Sequence, residues 1–320
     1  MERREDRVLA DIVKSTHKLL RESVMKNPGM EDRIWRDHVT SSHIDYANAM
    51  KKLSEDYWTN ESRLKWIYNK LNLYFDESND RCRFFLRLQK KIGIHSPLFK
   101  DIEPFAQSRT REGVIKVLDV GSCHNPLAKY LLQHQDESYL IRAIDLCPAT
   151  KEVYKCDFIN VDTHLRTEEI SDDIVDGTEL KSLAEDSYDA VIFSLLLEYL
   201  PTPSLRLKAV KKAIKVLTYG GLLIIVTPDS NPENKNQPQM KAWRLAMAYL
   251  GLVRIYIEKL KHVHCLAFVK VPLPNYEKAL EQEINSIRKK YTVSPDSAFQ
   301  LETAFYIPQD KTTLFLFFFF

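Results

Sequence analysis

The chain has 320 residues, of which 44% are hydrophobic and 28% charged, enough to bury a sizeable core and typical of an ordinary soluble protein. Lys and Arg number 46 against 44 Asp and Glu, and the formal charge of +2 excludes a global electrostatic drive toward nucleic acid or a membrane surface. The cysteines (Cys82, Cys123, Cys147, Cys156 and Cys265) lack CxxC spacing, "MERREDR" does not read as a signal peptide, and no apolar run reaches the ~18 to 20 residues of a membrane helix; reduced thiols and a cytoplasmic setting are expected.

Along the chain, apolar residues first recur at helical spacing. Val8, Ile12, Thr16, Leu19 and Leu20 mark a helix over about residues 7–23, and "KNPGMED" breaks it. Tyr46, Met50, Leu53 and Tyr57 mark another, and Leu64, Ile67, Tyr68, Leu71, Tyr74 and Phe75 a third within "SRLKWIYNKLNLYF". The texture changes between about residues 90 and 113. Beyond it, "VIKVLDV", "YLIRAID", "YDAVIFS" and "GLLIIVT" read as buried strands, with the amphipathic helix "PSLRLKAVKKAIKVL" between the last two. Strands alternating with helices predict an α/β fold, a mainly parallel, doubly wound sheet. The apolar tail "TLFLFFFF" reads as a disordered end rather than an anchor.

The first strand, "KVLDV", ends in Gly121 and turns into a helix through Ser122, Cys123, His124 and Asn125, with Pro126 in the first helical turn. Ligands of such sheets bind outside the carboxyl ends of the strands, and a glycine there lets backbone approach a ligand closely. The further glycines of GxGxxG serve a pyrophosphate, so a single glycine suits a ligand without phosphates and disfavours a nicotinamide dehydrogenase. Asp145 ends the second strand at a spacing suited to a ribose diol, Asp157 and Phe158 follow the short strand "VYKC" and offer an acceptor for an amine and a face for a base, and Ser194 ends the fourth. Each has a structural alternative, as turn acid, core aromatic or helix cap. Their shared place at successive strand ends favours a nucleoside site.

Weaker signals lead elsewhere. His262 and His264 alternate on what reads as one strand face, but no third ligand has matching spacing, so no metal is expected. Cys123 and His124 are adjacent in a turn and form no dyad. After the fourth strand, "SLLLEYLP" lacks the polar loop that nucleobase-amine methylation commonly uses. Glu198 and Tyr199 still offer a base and a stacking surface, so catalytic residues stay unassigned.

Glycine, acid and acid after the first three strands, with "LVRIYIEKL" and "VHCLAFVKV" as a closing hairpin, resemble the Rossmann-like class I S-adenosylmethionine-dependent methyltransferase fold. "RIWRDH", "YANAMKKL", "SRLKWI", "KVLDVGSCHNP", "VYKCDF", "VIFSLLLEYLP", "LLIIVTPDS", "HVHCLAF" and "YIPQD" further resemble the SAMTOR family, sensors of S-adenosylmethionine upstream of the TOR kinase complex, over about residues 8–268. The resemblance implies an N-terminal helical domain over 1–100, a ligand-binding methyltransferase domain over 101–275 and a partly disordered extension over 276–320. It implies S-adenosylmethionine as ligand, with S-adenosylhomocysteine also binding. Gly121 and Asp145 become the central contacts, Asp157 and Phe158 the adenine side, Ser194 a further contact, and Arg63 a residue reaching over from the helical domain to pair with the methionine carboxylate. It also implies negative regulation of TOR signalling, through GATOR and KICSTOR complexes bound when the ligand is scarce and released when it is abundant, and lysosome association through those partners. The alternative is an active methyltransferase on RNA adenine, the one case in which nucleic acid would be a partner. The chain departs from the family pattern after about Val271, where the acidic tail of vertebrate members is not matched.

Overall fold

The computed structural model describes residues 2–41, 43–57, 62–75, 80–92, 113–229, 237–271, 284–285, 300–307 and 310. The expected domain boundary near residue 100, most of the 276–320 extension and the tail "TLFLFFFF" lie outside them.

Runs of Val, Ile and Leu with few polar interruptions make strands that can be covered on both faces, and these runs occupy the middle of the sheet. β1 (Ile115–Val120), β2 (Tyr139–Asp145), β7 (Tyr188–Ser194) and β8 (Leu217–Pro228) lie side by side in the order β2-β1-β7-β8, all parallel. β3 (Tyr154–Lys155) continues outward from β2. On the other side, β9 (Leu252–Leu260) and β10 (Val263–Lys270) form the antiparallel hairpin, with β10 inserted between β8 and β9. This is the doubly wound sheet with an antiparallel edge that the sequence predicts.

The sheet also extends beyond the predicted strands. β4 (Asp162–His164), β5 (Ile174–Asp176) and β6 (Glu179–Ala184) complete the edge past β3, giving β4-β6-β3-β2-β1-β7-β8-β10-β9 with β5 antiparallel to β6. Their signal was present in "VDGTEL": Gly177 and Thr178 form the turn between β5 and β6, and Gly177 takes φ +58°. The edge position leaves alternate residues of β6 exposed, which diluted the apolar pattern.

Two helical layers cover the sheet. On one face, α4 (Ser62–Phe75), α5 (Asp80–Ile92) and α6 (Pro126–Gln133) place Trp66, Ile67, Leu71, Tyr74, Phe85, Leu127 and Leu131 against Val117, Ile192, Ile224 and Ala267. Tyr74 is wholly buried there, and its hydroxyl donates to Gly220 O at 2.9 Å, satisfying a polar group that would otherwise be costly. On the other face, α7 (Pro203–Val216) and α8 (Gln237–Tyr249) pack Leu205, Val210, Ala213 and Trp243 against Leu118, Val191, Phe193 and Ile225. Each fully buried Leu or Ile contributes roughly 1.5–3 kcal/mol. The N-terminal helices α1 (Glu2–Lys26), α2 (Glu31–Thr40) and α3 (Ile44–Lys52), with a π-helical turn over Leu53–Tyr57, lie over the carboxyl ends of the strands, where Leu20 and Trp35 join the second core. The helices before residue 100 thus share their cores with the sheet. A last short helix, α9 (Leu301–Ala304), brings Ala304, Phe305 and Ile307 into the same core, so part of the expected C-terminal extension is packed structure.

Candidate functional site

β1 delivers the chain into a loop in which three alternate residues take left-handed backbone: Gly121 (φ +77°), Cys123 (φ +56°) and Asn125 (φ +58°). Only the first is glycine. The loop has the backbone shape of a multi-glycine turn, with strain accepted at Cys123 and a conformation that Asn125 tolerates. At Gly121 the positive φ favours glycine, and a Cβ there would sit 2.9 Å from Leu196 Cδ1, so the end of that side chain would have to shift. Asn125 is the N-cap of α6, and Pro126 occupies its first turn.

The carboxylate of Asp145 is held by this loop. Its Oδ2 accepts from Cys123 N at 2.9 Å and its Oδ1 from Cys147 N at 2.8 Å. Burial nevertheless pushes its pKa up to about 6, with the two backbone bonds opposing the rise and the charge of Asp119 adding to it. Each oxygen keeps a lone pair for a further donor. Asp119, also buried, accepts from Ser122 Oγ at 2.7 Å; burial raises it to about 6 against that bond and the charge of Arg63. Arg63 reaches this end of the pocket from α4, and its Nε is buried without a hydrogen-bond partner. Burial lowers the pKa of its guanidinium, opposed by Asp119.

Asp157 is held differently. Ile159 N at 3.0 Å and Asn160 Nδ2 at 2.6 Å donate to it locally, and Trp35 Nε1 of α2 donates to both its oxygens at 3.1 and 3.3 Å. Phe158 packs edge-on against Phe193, with centroids 5.8 Å apart, so it serves the core as well as the pocket wall.

One pocket gathers all six residues singled out from the sequence: Arg63, Gly121, Asp145, Asp157, Phe158 and Ser194. The pocket also contains Tyr199, named from the sequence as a stacking surface, and residues that sequence reasoning missed, chiefly Trp35 and Tyr46. Trp35 stood in "RIWRDH", but nothing in a helical pattern says that its indole will reach a strand end 122 residues away. Tyr199 OH pairs with His38 Nε2 at 2.6 Å and Tyr46 OH with His17 Nε2 at 3.0 Å. Burial drives both histidines down, His17 to about 3 and His38 to about 4, so they are neutral at physiological pH.

Glu198 lies outside the pocket lining. Its carboxyl is buried, Oε2 has no hydrogen-bond partner, and burial pushes its pKa up to about 8. It is therefore poorly placed as a base for a substrate in the pocket. The two strand histidines do not share a strand face: His262 sits in the turn between β9 and β10 at φ +67°, and His264 Nε2 lies 3.2 Å from Asp229. Among the described residues, no group of three or more His, Cys, Asp or Glu could hold a metal ion, and no helix is long and apolar enough to cross a membrane.

Comparison with known proteins adds two kinds of likeness. A family model described as a methyltransferase domain matches residues 90–263. A protein of Danio rerio named "S-adenosylmethionine sensor upstream of mTORC1" is 33% identical over 293 residues, covering 84% of this chain and 72% of that protein. Its namesake in Xenopus tropicalis is also 33% identical, covering 84% of this chain and 71% of that protein. Among solved structures, the 1,6-didemethyltoxoflavin-N1-methyltransferase of Burkholderia thailandensis aligns with 71% of this chain and 87% of its own, at 11% identity and a TM-score of 0.38.

Proposed function

Because the chain belongs to the family of S-adenosylmethionine sensors upstream of mTORC1 and carries a methyltransferase domain, we propose that its pocket binds S-adenosylmethionine and that occupancy is read through the N-terminal helices. The observation that carries this reading is the mixed wall of the pocket. Gly121, Asp145 and Asp157 come from strand ends, while Trp35, Tyr46 and Arg63 come from the helices above them.

The residues fit the ligand. Gly121 lines the pocket without a side chain, so backbone can approach a ligand, and Asp145 presents two oriented oxygens to a ribose diol. The buried, unpaired Nε of Arg63 suits the methionine carboxylate. The adenine amine is assigned to Asp157 and its ring to Phe158, with Ser194 a further contact in the lining. A ligand shifts a conformational equilibrium only by its differential affinity for the two states, and contacts from α2 and α4 supply such a difference. In this reading the output is restraint of TOR signalling, through GATOR- and KICSTOR-type partners bound to the ligand-free form; the relatives' place upstream of mTORC1 supports the pathway. Methyl transfer is the weaker reading, since Glu198 is buried away from the pocket.

Calorimetry with S-adenosylmethionine, S-adenosylhomocysteine and NAD tests this assignment. The first two should bind and NAD should not; no binding of either sulfur ligand would sink it. Arg63→Ala removes one charge-assisted contact of about 2 kcal/mol and should weaken S-adenosylmethionine roughly thirtyfold while leaving partner capture switched on at high ligand.

A further inference from the structure

Resting on the S-adenosylmethionine reading, we propose that residues 300–307 together with Asp310 act as a strap that positions the ligand-facing loop after β7, with Arg206 as the clasp and Asp310 as its positioning residue. Arg206 lies on α7 and is fully buried at 0% exposure. A guanidinium has five N–H donors, and all five are used here. Nε donates to Leu197 O at 2.8 Å and Nη2 to Leu200 O at 2.7 Å, which fixes both ends of the 197–200 turn. Nη1 donates to Phe305 O at 3.0 Å, and the remaining two hydrogens form a fork onto Asp310 at 2.6 and 2.9 Å. Asp310 closes the arrangement by accepting from Ile307 N at 2.9 Å.

The loop so gripped is part of the pocket. Leu195, Leu196, Tyr199 and Leu200 line it, Leu195 holds a left-handed φ of +63°, and Leu196 is the side chain that abuts Gly121. A leucine in that conformation is strained, so its geometry depends on the groups that fix the loop around it. α1 grips the same loop from above, through Arg21 Nη2 to Glu198 O. Arg21 and Arg206 repel one another; the carboxyls of Asp310 and Glu198 both offset that repulsion, and Asp310 is the one bonded directly to Arg206. The strap is held in turn by α8, where Trp243 Nε1 donates to Tyr306 O at 3.0 Å and the Trp243 ring packs on Phe305. Through Asp310, a segment more than 100 residues beyond the loop in sequence sets the shape of the ligand wall.

Hydrogen exchange and calorimetry on the full chain test the strap. Without ligand, Asp310→Asn should speed exchange at 195–200 and leave β1 and the body of β7 as in wild type. With ligand, it should weaken S-adenosylmethionine about tenfold. Phe305→Leu is the control: it loosens core packing without touching the fork, and should lower the melting temperature with little change in affinity. Coupling is reciprocal, so S-adenosylmethionine added to wild type should slow exchange at 300–307 as well as at 195–200, a measurement that needs no variant. Wild-type exchange at 195–200 in Asp310→Asn, protection by ligand at 195–200 alone, or affinity lost in step with melting temperature in both variants would each overturn the strap. Wild type that binds no S-adenosylmethionine would instead refute the functional reading, and the ligand-free exchange comparison would still decide the strap.

Discussion

Asp145 and Asp157 stand at the ends of neighbouring strands and face one pocket, yet they are held in place by different parts of the molecule. Asp145 takes both of its hydrogen bonds from backbone N–H groups of its own sheet edge, at Cys123 and Cys147. Asp157 shares its oxygens between its own turn and the indole of Trp35 on α2. The sheet alone can therefore orient one acid, whereas the geometry of the other depends on where the N-terminal helices sit. Under the proposed function, the first is the anchor of the ligand and the second the point at which occupancy meets the helical layer.

The sharpest way to break this comparison is to remove the anchor. Asp145→Ala deletes two charge-assisted hydrogen bonds of roughly 1.5–3 kcal/mol each, so S-adenosylmethionine affinity should fall by more than about 100-fold. Circular dichroism should show the fold retained, because the carboxylate is burial-strained and its partners are loop N–H groups. Calorimetry giving wild-type affinity in the folded variant would remove Asp145 from the site.

Acidification tests the same residue without mutation. Asp119 and Asp145 both have pKa values raised by burial to about 6, above the ordinary carboxylate range. Their contribution to the stability of the ligand-free fold is therefore present below that range and is lost as pH rises through about 6. Ligand binding has the opposite sign, since a ribose diol needs the ionised acceptor. Between pH 7 and pH 5, affinity should drop about tenfold, and the ligand-induced rise in melting temperature should shrink. A pH-independent affinity over that range would show that Asp145 is not the titrating acceptor.

The smallest expected effect on affinity belongs to Trp35. Trp35→Phe keeps an aromatic ring and deletes the donor to Asp157, so affinity should change less than about fivefold. Its effect should appear in coupling: ligand should protect α2 from exchange in wild type and fail to do so in the variant. Equal protection of residues 31–40 in both proteins would place the link between pocket and helices elsewhere, with Arg63 the remaining candidate.

Much of the molecule was legible because its signals are local. Buried parallel strands announce themselves as runs such as "VIFS" and "LLIIVT", which no other environment in a soluble domain accommodates as well, and the positive φ at Gly121 follows from a turn that only glycine adopts freely. The six pocket residues could be found because each lies at the end of a readable strand or in a motif shared with relatives. The edge strands β4 to β6 were harder to see, because exposure on one side dilutes their pattern.

What the sequence determined by itself was the doubly wound sheet and the chemistry gathered at its carboxyl edge, since strand periodicity and turn residues act over a few positions. The tertiary structure decided which distant groups complete that edge: Trp35 on Asp157, Arg206 on the 197–200 turn, Asp310 on Arg206. It also decided that Cys123 would hold left-handed backbone that its side chain disfavours, beside Asn125, which tolerates it. These outcomes are set by packing between segments far apart in the chain. Contacts between Asp145 and two loop N–H groups, or between five acceptors and one buried guanidinium, can override a local preference worth about 1–3 kcal/mol, and no local pattern records them.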